Sequence, residues 1–85
     1  MKKYIEYKTS GTCSRMIKVE VEDGIVTECS FVGGCAGNTV GVATLVKGMK
    51  AEEAIERLKG IRCGFKNTSC PDQLSRALAE AIAAD

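Results

Sequence analysis

The sequence predicts an α+β fold: a three-stranded antiparallel sheet followed by three helices packed on one face. Three observations predict it. The N-terminal part alternates apolar and polar residues between turn signals, which is the period of strands that bury one side. The C-terminal part repeats apolar residues at helical spacing, most clearly at Leu74, Ala77, Leu78, Ala81 and Ile82. Strands grouped ahead of helices, rather than alternating with them, give an antiparallel sheet with the helices to one side.

The first strand covers residues 3 to 8, with Ile5 between Tyr4 and Tyr7, and residues 9 to 12 form a turn. Cys13 stands immediately before the second strand. There Ile17, Val19 and Val21 face one way and Lys18, Glu20 and Glu22 the other. Asp23-Gly24 marks a hairpin. A two-residue turn pairs Ile17 with Ser30 and Val19 with Glu28, apolar against polar. A three-residue loop over residues 22 to 24, with Gly24 left-handed, pairs Val21 with Ile25 and Ile17 with Cys29. It gathers Ile17, Val19, Val21, Ile25, Cys29 and Phe31 on one face and is preferred. Cys29 then reads as a small buried apolar residue.

Gly33-Gly34-Cys35-Ala36-Gly37-Asn38 is a glycine-dense turn into the first helix. Asn38 is its expected N-cap, Val42, Leu45, Val46 and Met49 its apolar stripe, and Gly48 its end. A second helix, residues 51 to 59, puts Ala51, Ala54, Ile55 and Leu58 on one side and is closed by Gly60. Lys50 is a poor cap for it, and its charged side reads as a solvated face. The third helix, residues 71 to 83, opens on Ser69, Cys70, Pro71 and Asp72. Serine or cysteine can cap it, aspartate suits the positive end of its dipole, and proline costs little in a first turn.

Eighty-five residues make one domain, residues 1 to 85, with a modest core. Twelve basic and eleven acidic residues leave a net charge of +1, which argues against a general nucleic-acid grip. No apolar run is long enough for a membrane span. The N-terminus lacks the apolar region of a signal peptide, so a cytoplasmic location is expected. There is no histidine, which removes histidine-based triads, dyads and zinc motifs.

Five cysteines are a heavy load for such a chain, and disulfides alone cannot use an odd number. In a reducing compartment metal binding or redox chemistry explains them better than structural bridges. Cys13, Cys35, Cys63 and Cys70 sit in loops or at element ends, where thiolate ligands of zinc and iron–sulfur sites are usually carried. Position alone leaves shared ligation and scattered thiols both open. No C-x-x-C pair is present. A redox reading has Cys70, at a helix start that favours a thiolate, as attacker and Cys63 or Cys35 as the resolving thiol. The glycine run around Cys35 can also be read as a phosphate loop, but it lacks the P-loop lysine, and a tight strand-to-helix turn is the simpler reading.

Thr68-Ser69-Cys70-Pro71-Asp72 spells the motif of the TSCPD domain, and the sequence resembles that family over nearly its whole length. The likeness includes Gly11-Thr12-Cys13, Gly33-Gly34-Cys35 with Gly37-Asn38, Gly60-Ile61-Arg62-Cys63-Gly64, and Gln73-Leu74. It looks like the small stand-alone, four-cysteine branch. Larger relatives carry the domain at the C-terminus of adenosylcobalamin-dependent ribonucleotide reductases. The resemblance puts the family cysteines at Cys13, Cys35, Cys63 and Cys70.

A more distant similarity is to the U-type iron–sulfur scaffold proteins. It runs through Cys13, Met16 to Val19, Asp23-Gly24, Phe31, Gly34-Cys35, Val46-Lys47-Gly48, Glu53-Ala54 and Cys70, and it implies a scaffold-like fold. Cys13, Cys35 and Cys70 fall on the scaffold's ligand positions. Its aspartate corresponds to Arg15 here and its histidine to Ser69, while Cys63 is an addition. That exchange implies a closed all-thiolate site that keeps its metal.

The expected function is therefore a small metal-binding accessory domain, with zinc or an iron–sulfur cluster on Cys13, Cys35, Cys63 and Cys70. The family implies a partner in ribonucleotide reductase or in iron–sulfur assembly, and an accessory nucleotide-binding role as the alternative. A catalytic reductase is not expected, since 85 residues cannot house its barrel, radical cofactor and thiol pair. A thiol–disulfide redox protein is the third reading.

Overall fold

The computed structural model describes residues 2–12, 14–34 and 36–83. Its elements follow the expected order: β1 (Lys2–Lys8), β2 (Ser14–Glu22), β3 (Ile25–Gly33), α1 (Ala36–Val46), α2 (Ala51–Leu58) and α3 (Cys70–Ala83). The sheet is antiparallel with order β1-β2-β3, so the fold is α+β as the sequence predicts. The central strand β2 sets Val19 against Ile5 and Ile17 against Tyr7 on one edge, and against Cys29 and Phe31 on the other. Ile17 and Val19 are wholly buried and Val21 nearly so. The opposite face carries Glu6, Lys18, Glu20 and Glu28, the one-sided pattern of a sheet covered on a single face.

The β2–β3 hairpin corrects the expected loop. Asp23 and Gly24 both have positive φ, 53° and 81°, and Glu22 pairs directly with Ile25. The loop is therefore the two-residue, doubly left-handed kind whose twist matches the strands it joins. The polar mismatch that this turn would cause is removed two residues later. Thr27 is an extra residue opposite the Glu20/Val21 step, and past this bulge Val19 faces Cys29 and Ile17 faces Phe31. The Thr27 hydroxyl lies 3.1 Å from the Glu20 carbonyl oxygen and 2.8 Å from its carboxylate, which fixes the bulge. As a result Val26, not Ile25, joins the core; Val26 is fully buried and Ile25 only partly. A second irregularity, at Arg15 between Ser14 and Met16, turns Ser14 inward and buries it.

Helix α1 packs on β3, and α3 lies across β1 and β2. Leu74, Ala77, Leu78 and Ala81 of α3 are fully buried, as its spacing predicts. Two details of α1 differ from expectation. It begins at Ala36, so Asn38 lies inside its first turn and is not its cap. Its buried positions are Thr39, Ala43 and Val46, while Leu45 is 77% exposed. Apolar residues surround this helix, so their spacing selects no face; small side chains take the close approach to the sheet.

Helix α2 packs on α3 through the fully buried Ala51 and Ala54. Lys50 supplies no side-chain cap. The backbone does that work instead: Ala51 N–H donates to the Gly24 carbonyl at 2.8 Å. Val26 N–H donates to Met49 and Gly48 N–H to Val26, at 2.9 and 2.8 Å. The start of α2 is thus tied to the hairpin turn. Among the described residues no helix is long and apolar enough to cross a membrane.

Candidate functional site

The start of α3 is built by the five residues Thr68 to Asp72, each with a separate task. Ser69 is the N-cap: its hydroxyl accepts from Asp72 N–H at 3.1 Å and donates to the Ile61 carbonyl at 2.7 Å. The Asp72 carboxylate accepts from Gly60 N–H at 2.7 Å, from the Thr68 hydroxyl, and from Arg76 at 3.2 Å. It is 5% exposed. The Thr68 hydroxyl beside it, then the Gly60 amide and the Arg76 charge, hold its carboxyl below the usual carboxylate range, against the upward pull of burial. Gln73 is buried, donating to Thr68 Oγ1 at 3.0 Å and accepting from Ser10 N–H at 3.2 Å. The end of α2, the loop after it and the β1–β2 turn are thereby fastened to the first turn of α3.

That frame presents Cys70 as the first helical residue, half-buried. Cys63 lies in the preceding loop and is exposed. Its N–H donates to the Thr68 carbonyl at 3.1 Å, and its carbonyl accepts from Lys66 N–H at 3.0 Å, so the loop folds back on the motif. Cys63 and Cys70 line a hollow of about 30 Å³ with Thr12, Lys66 and Ser69. That is room for one water-sized occupant. The same two cysteines line a wider cleft of about 300 Å³ with Asn38, Thr39 and Pro71. Ser14 Oγ is 3.3 Å from Cys70 Sγ and 3.0 Å from Thr12 Oγ1.

Of the four cysteines that the sequence singles out, the structure thus brings Cys63 and Cys70 together. Cys13 and Cys35 lie outside the described residues. Their neighbours do not: Thr12 and Ser14 flank position 13, and α1, whose Asn38 and Thr39 line the cleft, starts at residue 36. Cys29 is in the core, 8% exposed, and burial pushes its thiol up to about 12, with Lys47 pulling weakly the other way. It is a buried small residue, as the hairpin pattern predicts. Among the described residues no group of three or more histidine, cysteine, aspartate or glutamate side chains is arranged to hold a metal ion.

The residues that sequence reasoning overlooked are Thr12, Ser14 and Lys66, which stand around the two thiols. Ser14 was hidden because the strand alternation points it outward; the bulge at Arg15 reverses it. An apolar groove of about 400 Å³ between α1 and α2 has no described cysteine in its lining.

What the arrangement can do is stabilise thiolate. Cys70 lies in the first turn of a fourteen-residue helix, where backbone N–H groups and the dipole favour negative charge. No curated protein and no solved structure matches the chain. The model of the TSCPD domain matches residues 2–82, nearly the whole chain, and the chain belongs to the TSCPD domain family.

Proposed function

We propose that this domain holds one zinc ion or iron–sulfur cluster on Cys13, Cys35, Cys63 and Cys70, as a metal-holding accessory module of the four-cysteine branch of its family. The observation that carries the reading is the convergence of Cys63 and Cys70 on one pair of adjoining hollows, lined also by residues close to positions 13 and 35. The donor chemistry fits. Soft thiolates suit both metals, and a four-sulfur set is the usual complement of a structural site. A resident metal supplies a cross-link between distant parts of the chain; the protein's part is to present sulfur and shield it.

Ser69 supports a site that retains its metal. It stands where the scaffold proteins carry a histidine, yet its hydroxyl is committed to Asp72 N–H and to the Ile61 carbonyl. It serves the helix and is no substitute ligand. Cys63, the residue those proteins lack, takes its place at the hollow.

The test is the zinc and iron content of protein purified anaerobically without added metal, with an absorption spectrum to tell zinc from a cluster. One equivalent of zinc, or a cluster's iron, is expected. Cys63→Ser and Cys70→Ser lose it, and Cys29→Ser keeps it. Metal-free protein, or equal loss with Cys29→Ser, overturns the assignment. A reversible Cys63–Cys70 bridge in metal-free protein, seen by alkylation mass spectrometry, would establish the redox reading instead.

A further inference from the structure

The outward side of α1 lacks what a helix facing water normally carries. Its eleven residues include no charged side chain, whereas α2 turns Glu52, Glu53, Glu56 and Arg57 to solvent. A helix with apolar residues on every side is ordinarily covered on every side. Helix α1 packs on β3, yet Val40 and Leu45 remain exposed, Leu45 by 77%. One exposed leucine is ordinary, but Leu45 stands at the apolar groove of about 400 Å³ that runs between α1 and α2. Val42, Val46, Met49 and Leu58 line the same groove. A projecting apolar side chain and an apolar hollow thus lie side by side on one surface. A contact between two copies about a two-fold axis needs that pairing, since each copy must offer both halves of the fit.

The charges at the groove select the same occupant. They are Glu53 and Arg57, one of each sign. Within α2 the two are paired, with Arg57 Nη2 at 2.8 Å and Nε at 3.2 Å from Glu53 Oε1. Glu53 Oε2 and Arg57 Nη1 take no part in that pair. A surface bearing one acid and one base is matched by its own copy across a two-fold axis, which sets Glu53 against Arg57 twice. A partner segment of a single sign would meet a like charge at one of the two. The net charge of +1 gives little repulsion between copies.

We propose that the α1–α2 face is the interface of a two-fold homodimer, with Leu45 of each copy seated in the groove of the other and Glu53 facing Arg57 across the axis. The contact accounts for the uncharged outer side of α1, the exposed leucine and the paired charges at once. The groove has no described cysteine in its lining, so the dimer stands or falls separately from the metal reading.

Sedimentation equilibrium of the full chain under reducing conditions, from micromolar to millimolar concentration, reads the association. A monomer–dimer equilibrium is expected. Leu45→Glu weakens it roughly hundredfold, because two leucines leave the interface of each dimer and two charges enter it. Leu45 is exposed in the single copy, so the circular dichroism of that variant should match the parent. Glu53→Lys and Arg57→Glu each weaken self-association, and an equimolar mixture of the two restores it, since each variant then offers the charge that the other lacks. A role confined to the ion pair within α2 gives no such rescue. A chain that stays monomeric to millimolar concentration overturns the proposal and leaves the face to another protein or to solvent. A dimer that Leu45→Glu leaves intact overturns it too, by placing the contact elsewhere. So does a mixture that associates no more tightly than either charge variant alone.

Discussion

Asp72 shows how one side chain can serve both fold and site. Its buried carboxylate gathers the Gly60 amide, the Thr68 hydroxyl and Arg76, joining the end of α2 to the start of α3. Asp72→Asn keeps the shape and removes the charge. A cost of about 1.5–3 kcal/mol is expected at neutral pH, the range for hydrogen bonds to a charged group. The pH dependence follows from the direction of the shift. The native carboxyl titrates below the ordinary aspartate value of 3.8, so its stabilisation is present above that value. It is lost as pH falls through the lower native value. Urea denaturation from pH 6 to pH 2 should show acid destabilisation in the parent that is smaller in the Asn variant. Equal acid sensitivity in both would remove Asp72 from this role. Cysteine reactivity separates the same way. Cys29 is buried with a thiol titrating near 12, whereas Cys63 is exposed. In metal-free native protein at pH 8, iodoacetamide should modify Cys63 promptly and Cys29 only after unfolding. Rapid labelling of Cys29 would contradict its place in the core.

At the scale of elements, the sequence showed what each segment is better than how it meets its neighbours. The alternation of β2 and the spacing of α3 were legible because each element has one distinctly apolar side. The hairpin length was not, because the Thr27 bulge depends on a bond to Glu20 across the strands, which no local pattern encodes. The packed face of α1 was equally hidden, since Val40 and Leu45 are exposed while Thr39 and Ala43 are buried. Local chemistry was most readable at the start of α3, where serine, proline and aspartate each have a positional reason. Ser69→Ala removes the cap and the tie to Ile61 together, for which a loss of about 1–2 kcal/mol is expected. Gly24→Ala tests the left-handed conformation at Gly24, which both loop lengths share. It forces a side chain into φ of 81° with no clash to any neighbour, so the expected cost, about 1–2 kcal/mol, is conformational alone. Chemical denaturation reads both. An unchanged Gly24→Ala midpoint would contradict the left-handed conformation at Gly24.

For the whole molecule, the composition of the core bears on why a metal would matter. Among the described residues the wholly buried side chains are Ile17, Val19, Val26, Leu74, Gln73 and Leu78 together with four alanines, and no aromatic ring is among them. Native domains are only marginally stable, so a cross-link or metal held by the folded chain alone adds a sizeable fraction to their stability. The candidate site lies where such a link would act most widely. Cys70 opens α3, Cys63 sits on the loop from α2, and the hollow is bordered by the β1–β2 turn through Thr12. A ligand that binds only the folded chain stabilises it by about 2.7 kcal/mol at a hundred times its dissociation constant. In a domain of this size that raises the midpoint of thermal unfolding by roughly 10–20 °C. Removing metal with a strong chelator under reducing conditions should therefore lower the midpoint by that order, and zinc or a reconstituted cluster should restore it. Cys70→Ser should start near the chelated value and respond to neither treatment, whereas Cys29→Ser should respond as the parent does. A parent midpoint indifferent to chelator and metal alike would show that the four thiols do not carry the stability of the fold.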